Sequence, residues 1–221
     1  ARFWLMTHLR NHRIIFVTQF LPRPGAPHQT GGTISNLNFL RALAKEYSVV
    51  VLSFDNASSE ADFRNEQFSV VSRPAPRWRA PQMALYWLDF VREATKKELL
   101  KATEEEKTYL IATTSTLSAF DVCGSDTIKV AIVRAYENFG FLCPWVPPRE
   151  RFVVGKLAAI RKFQDPRFIR MADHVLTNSC FMQSVISSRF GISGERIQIL
   201  PQACGISPVL EPAPEGTVGF V

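Results

Sequence analysis

Short β-branched runs alternate with stretches of helical periodicity along nearly the whole chain, and this alternation limits the folds open to it. Arg13-Ile-Ile-Phe-Val-Thr18 is an apolar run of the kind buried on both faces of a parallel sheet, and it predicts the first strand. From Leu21 to Thr30 the chain holds Pro22, Pro24, Gly25 and Pro27, which fit neither a strand nor a helix, so a loop is expected. Past Gly31-Gly32-Thr33, the apolar residues Ile34, Leu37, Leu40, Leu43 and Ala44 recur near helical spacing. Further strands are expected at Tyr47 to Phe54, Phe68 to Ser72, Thr108 to Thr113, Ile128 to Arg134, His174 to Asn178 and Ile197 to Leu200. Helices are expected from Ala80 to Glu106, whose first half carries Met83, Ala84, Trp87, Leu88 and Val91, and from about Val154 to Ala172. A last helix follows Ser179, whose hydroxyl can cap a first-turn amide, and runs through Arg189 to a stop at Gly191. Strand, helix and strand in repetition give an α/β fold, a Rossmann-like parallel sheet with helices on both faces.

Length and composition agree with that class: of 221 residues 46% are apolar, enough for a sizeable core. No apolar run approaches the roughly 18 residues that suggest a membrane span. The opening Ala1 to Arg10 has too short an apolar centre for a secretory signal, so residues 1–12 are read as an extension ahead of the fold. After the Pro-rich stretch Ser207 to Pro214, Thr217-Val-Gly-Phe-Val221 reads as the start of another strand. The expectation is one domain over residues 13–206, with 207–221 forming a linker and the first strand of a C-terminal domain that lies beyond Val221. Cys123, Cys143, Cys180 and Cys204 show neither a CxxC pair nor a His at ligand spacing, which argues against a metal site or a disulfide framework and for a reduced, cytoplasmic setting.

The formal net charge is +6, and the excess is local: Arg149 to Arg170 carries seven basic residues against Glu150 and Asp165. Such a patch is either a solvated helix face or a surface for an anion, such as anionic lipid or a phosphorylated substrate. Nucleic acid is not expected, since zinc-finger spacing, an RRM aromatic signature and a helix-turn-helix pattern are all missing. Gly31-Gly32 at a helix start has two readings. Without Cβ atoms the backbone can approach a ligand, and the helix N-terminus offers N–H groups to a phosphate; alternatively the pair serves a turn with positive φ. The spacing is neither GxGxxG nor a P-loop.

Arg13-Ile-Ile-Phe-Val-Thr-Gln-Phe-Leu-Pro-Arg-Pro-Gly25, then Gly31-Gly32 and Leu40-Arg-Ala-Leu-Ala-Lys-Glu46, resemble the start of the N-terminal domain of GT-B glycosyltransferases, chiefly their large, mostly retaining group. A second stretch, Ala172-Asp-His-Val-Leu-Thr-Asn-Ser179 with Gly191-Ile-Ser-Gly-Glu-Arg-Ile-Gln-Ile-Leu-Pro201, resembles that group's strand, helix and strand before the interdomain linker. The resemblance implies one half of a two-domain GT-B fold, which moves a sugar from a nucleotide-sugar donor to the hydroxyl of a carbohydrate or lipid-linked acceptor. Gly31, Gly32 and Thr33 then occupy the loop that faces donor phosphate and acceptor, and no tightly bound cofactor or metal is implied. The glutamates and basic residues that hold the donor would lie beyond Val221, leaving these residues inactive alone.

The group's His near the end of the strand at Ile128 to Arg134 is missing. Arg134-Ala-Tyr-Glu-Asn138 follows instead, so Tyr136 and Asn138 become acceptor contacts, and Glu137 either the acceptor base or an ion-pair partner. His28 in the first loop is a further acceptor contact, while His174 is read as structural. Thr114 and Ser115, within Thr113-Thr-Ser-Thr116, either hydrogen-bond a sugar or cap the next helix. With a lipid-linked acceptor, Arg77-Trp78-Arg79 and Tyr86-Trp87 would touch the inner face of an anionic membrane peripherally; alternatively Trp87 packs in the core. Two other classes share these features: a non-enzymatic α/β anion-binding module, and a GT-B sugar-nucleotide epimerase.

Overall fold

The computed structural model describes residues 12–19, 21, 31–54, 60–73, 80–103, 106–134 and 166–200. Their order is β1 (His12–Thr18), α1 (Gly31–Ala44), β2 (Ser48–Ser53), a 3-10 turn Glu60–Phe63, β3 (Ser69–Ser72), α2 (Ala80–Leu99), β4 (Lys107–Thr113), a 3-10 stretch Thr114–Val122 and β5 (Ile128–Ile132). A helical turn at 166–171 leads to β6 (His174–Thr177), α3 (Cys180–Phe190), a 3-10 turn Gly194–Arg196 and β7 (Ile197–Ile199). The seven strands form one sheet in the order β3-β2-β1-β4-β5-β6-β7, and every neighbouring pair is parallel.

β1 lies inside the sheet, between β2 and β4, with side chains buried on both sides. Ile15 and Val17 face one core layer, while Ile14 and Phe16 face the other. Its register places Phe16 beside Val51 of β2 and Ile111 of β4, so the three strand centres share one apolar row. Right-handed crossovers then decide which side each connection takes. The links from β1 to β2 and β2 to β3 run toward one edge and bring Leu37 and Leu40 of α1 and Phe63 of the first 3-10 turn onto the front. Links toward the other edge pass behind: Val91 of α2, Leu117 and Phe120, Phe168 and Ile169, and Met182 and Ile186 of α3 all join the back core. The helices on both faces and the parallel sheet are as the sequence predicts.

Two differences have local causes. The helix expected to reach Glu106 ends at Leu99, where the apolar stripe stops. Leu100 is 77% exposed, and the Lys101 and Ala102 amides close tight bonds to Glu98 and Leu99 carbonyls at 3.2 and 3.0 Å. Ile34, expected on the buried stripe of α1, is 41% exposed, because that stripe is centred on Leu37 and Leu40 with Asn36 beside them. Only the 166–171 part of the helix expected from Val154 is described, and the Pro-rich loop after Leu21 and residues 201–221 also lie outside the described residues. Elsewhere the local signals act as expected: Ser179 Oγ accepts from the Met182 amide at 3.2 Å, and Gly191 takes φ 64° to end α3. Trp87 packs edge-on against Phe54 at 5.4 Å, its core reading, while Arg77 to Arg79 and the side chain of Tyr86 lie outside the described residues.

Candidate functional site

Open parallel sheets bind ligands beyond the carboxyl ends of their strands, at the point where strand order reverses. Here that point lies between β1, whose chain leaves toward β2, and β4. The ends of β1 and β4 are joined by side chains: Thr116, fully buried, donates from Oγ1 to the Val17 carbonyl at 2.8 Å and sits 3.3 Å from Thr113 Oγ1. Thr114 Oγ1 donates to the Ile132 carbonyl at 3.3 Å, and Thr177 Oγ1 to the Val133 carbonyl at 2.8 Å. At these strand ends short hydroxyl side chains donate to backbone carbonyls without adding charge, while the last carbonyls of β1, β2 and β6 accept from the Phe54, Arg73 and Leu200 amides.

The Thr113 to Thr116 stretch therefore does something the sequence alternatives omitted. Thr113 holds the N-cap position of the 3-10 stretch, yet its side chain makes no capping bond. Thr114 and Thr116 tie strand ends together instead, and Trp87 Nε1 fixes the Ser115 carbonyl at 2.7 Å. A hydroxyl that donates its proton keeps lone pairs, so half-buried Thr114 retains the capacity to accept from a ligand hydroxyl.

Gly31 and Gly32 are the first two residues of α1 itself. They are helical, so the positive-φ turn is not their role; among the described residues the glycine with positive φ is Gly191. Helical geometry leaves the first N–H groups without intrahelical acceptors, and no acidic side chain lies in the first turn to compete with an anion. One turn further on, Asn36 is buried, and its Oδ1 accepts a hydrogen bond from Nη1 of Arg134, just beyond β5. This bond brings the opening half of α1 to the end of β5. Burial pushes the Arg134 guanidinium below its ordinary pKa.

Arg134 is the residue that the sequence reading passed over. The available signal was a charged side chain in the first positions after an apolar parallel strand, where the fold puts ligands. His28, Tyr136, Glu137 and Asn138 lie outside the described residues, and the side chain of Thr33 is not described. His174 is exposed at the start of β6, on the rim of a front pocket of about 300 Å³. Of the basic stretch, Arg167 pairs with Asp121 at 2.9 Å and Arg170 Nε donates to the Phe190 carbonyl at 3.0 Å; both serve the back of the sheet. Among the described residues no three His, Cys, Asp or Glu side chains converge, and no helix is long and apolar enough to cross a membrane.

No protein-family model matches the chain, and neither does any curated protein sequence. Solved structures do match in fold. The lipopolysaccharide outer core galactosyltransferase WaaB, in its apo form, superposes with a TM-score of 0.53 at 12% identity, covering 92% of this chain and 49% of that one. UGT89C1 of Arabidopsis thaliana, complexed with UDP, gives 0.50 at 13% identity over 88% of this chain and 50% of that one. The fold is thus that of one Rossmann-like half of the GT-B glycosyltransferases. The chain spans about half the length of these structures.

Proposed function

We propose that this chain is the acceptor-side half of a GT-B glycosyltransferase, which moves a sugar from a nucleotide-sugar donor to an acceptor hydroxyl together with a donor-binding half. The observation that carries the reading is that, at the carboxyl edge of a GT-B half-fold, Asn36 in the first half of the helix that opens on Gly31-Gly32 is bonded to Arg134 just beyond β5, and Thr114 after β4 is bonded to the last residue of β5. Leaving-group chemistry gives that meeting its purpose. As the glycosidic bond to the diphosphate breaks, negative charge grows on the leaving oxygen, and backbone N–H groups already aimed at that position stabilise it without reorganising. Glycines there let the phosphate approach to hydrogen-bond distance. Thr114 and Ser115 orient the acceptor, with His28, Tyr136 and Asn138 as further contacts. Glu137 takes the acceptor proton where the mechanism needs a base. The acceptor is a carbohydrate or a lipid-linked one.

The test is product analysis on the full-length protein with a panel of nucleotide sugars and hydroxylated acceptors. The expected result is release of free nucleotide coupled to an acceptor heavier by one sugar, with residues 1–221 alone inactive. Conversion of the sugar nucleotide into an isomer without acceptor product would identify an epimerase instead. Phosphate or nucleotide binding with no turnover of any donor would leave an anion-binding module.

A further inference from the structure

We propose that Trp87 is a positioning residue: by holding the Ser115 carbonyl it sets the direction of Ser115 beyond β4 and thereby the fit of the acceptor hydroxyl. This rests on the glycosyltransferase reading above and deepens it. Trp87 belongs to α2 behind the sheet and packs, partly buried, against the back core. Its indole also reaches the carboxyl edge: Phe54, the residue after β2, meets it edge-on at 5.4 Å, and Nε1 donates to the Ser115 carbonyl at 2.7 Å. The Phe54 amide in turn bonds the Thr18 carbonyl, the last of β1. Trp87 thus stands behind the ends of β2, β1 and β4, beside the point where strand order reverses and this architecture takes its ligands.

The hydroxyls that follow β4 divide by what they bond. Thr114 donates to the Ile132 carbonyl, Thr116 to that of Val17 and Ser118 to that of Leu88. Ser115 is held by its main chain instead, and among the described residues its hydroxyl has no hydrogen-bond partner. A serine hydroxyl has one donor and two lone pairs, so it can give to one oxygen of a hydroxylated acceptor and receive from another. With its proton engaged, Thr114 can only receive. Ser115 is therefore the residue whose direction matters most to such an acceptor, and the indole N–H fixes that direction through the carbonyl of the same residue. This bond is not what docks the stretch on α2: further along, Ser118 bonds Leu88 and Arg92 pairs with Asp121. Losing the indole donor leaves those ties in place and frees the first turn to rotate, and a misplacement of about 1 Å can cost about 10²-fold in rate.

The experiment uses the full-length protein, with methyl glycosides and hydroxylated lipids as acceptor probes and hydrolysis of the nucleotide sugar in their absence as the control reaction. Trp87→Phe keeps a ring against Phe54 and deletes the N–H. It should raise acceptor KM by about tenfold or more and leave donor KM and hydrolysis unchanged. Benzothienylalanine in place of Trp87 preserves the bicyclic shape without the donor. It should act alike with the melting temperature held, which keeps the test open if Trp87→Phe does not fold. Ile186→Val, a loosening of the back core on α3, should lower the melting temperature and leave acceptor KM alone. The decisive comparison is a double variant: Ser115→Ala should raise acceptor KM by itself, and adding Trp87→Phe should raise it no further, since the indole acts through Ser115. Effects that multiply, or acceptor and donor KM rising together, would mark a structural residue and overturn the proposal. Acceptor KM unchanged in both Trp87 variants, while wild type transfers sugar, overturns it as well and leaves the transferase reading standing. Transfer to none of the probes by wild type removes the transferase reading, and this proposal with it.

Discussion

The back of the sheet carries α2, the Thr114–Val122 stretch, the 166–171 turn and α3 in succession, while the described part of the front carries α1 and one 3-10 turn over β1 to β3. On the back, Phe120, Phe168, Ile186 and Phe190 are nearly or wholly buried in a core that takes in residues of β1, β2, β4, β5, β6 and β7, with Val71 of the edge strand β3 packed against it. On the front, Tyr109, Ile111, Val130 and Leu176 line a pocket of about 300 Å³ among the described residues. The asymmetry follows from strand order, because right-handed links toward β7 must pass behind and only those toward β3 pass in front. Stability is thereby concentrated at the back. The front keeps the helix opening, Asn36 and Arg134 at its carboxyl edge.

The largest expected effect tests the back. Phe120 is fully buried beneath α2, and Phe120→Ala should cost about 3–5 kcal/mol in urea-induced unfolding. Tyr109→Ala, at the front pocket, should cost far less, and equal costs would break the contrast between the faces. Next comes Gly32→Trp, which places a bulky side chain in the first turn of α1 on the front. Sugar transfer by the full-length protein should fall by about 10²-fold, the loss typical of a removed oxyanion contact, while the melting temperature stays. Unchanged turnover would take the glycine pair out of the site.

Thr116 stands at the seam between the two strand groups, so Thr116→Val probes both. The valine fills the space, yet it deprives the buried Val17 carbonyl of the Thr116 hydroxyl that donates to it, at a cost of about 1–3 kcal/mol in denaturant unfolding. Cys123, at the edge of the back core, gives a smaller, pH-dependent effect. Burial pushes its thiol up to about 12 from an ordinary 9.0. With the folded pKa raised, its stabilising contribution is complete below pH 9 and is lost as pH rises toward 12, since the unfolded chain ionises first. Wild type should therefore lose about 1 kcal/mol more than Cys123→Ala between pH 9 and pH 10, as followed by unfolding at each pH. Parallel curves would place Cys123 outside the buried layer.

The fold was legible wherever the cause was local. β-branched runs gave the strands, the Ser179 hydroxyl and Gly191 gave both ends of α3, and the parallel sheet followed from their alternation. What the sequence concealed depends on contacts between distant elements. The Thr114 and Thr116 hydroxyls read as caps or sugar ligands because the carbonyls they satisfy belong to strands 18 and 99 residues away. Asn36 and Arg134 are 98 residues apart, and nothing in either neighbourhood shows that α1 meets the end of β5. The glycine pair was visible as a helix opening, and only the helix boundary settles that its φ is not left-handed.

The smallest effect belongs to the front surface, where Arg41 in the last turn of α1 makes a two-pronged pair with Glu66, Nε lying 2.9 and 3.1 Å from its two oxygens. Hydrogen bonding to Glu66 raises the Arg41 pKa, but the arginine side chain is 46% exposed. Water and salt screen such a pair, and holding two long side chains in one geometry costs entropy, so Arg41→Ala should lower stability by less than about 1 kcal/mol. The loss should shrink further as ionic strength rises, which separates it from the salt-insensitive cost of Phe120→Ala. A large, salt-independent loss at Arg41 would mean that α1 depends on this pair for its place over β2, and that the front layer is held by charge rather than by the packing of Leu37 and Leu40.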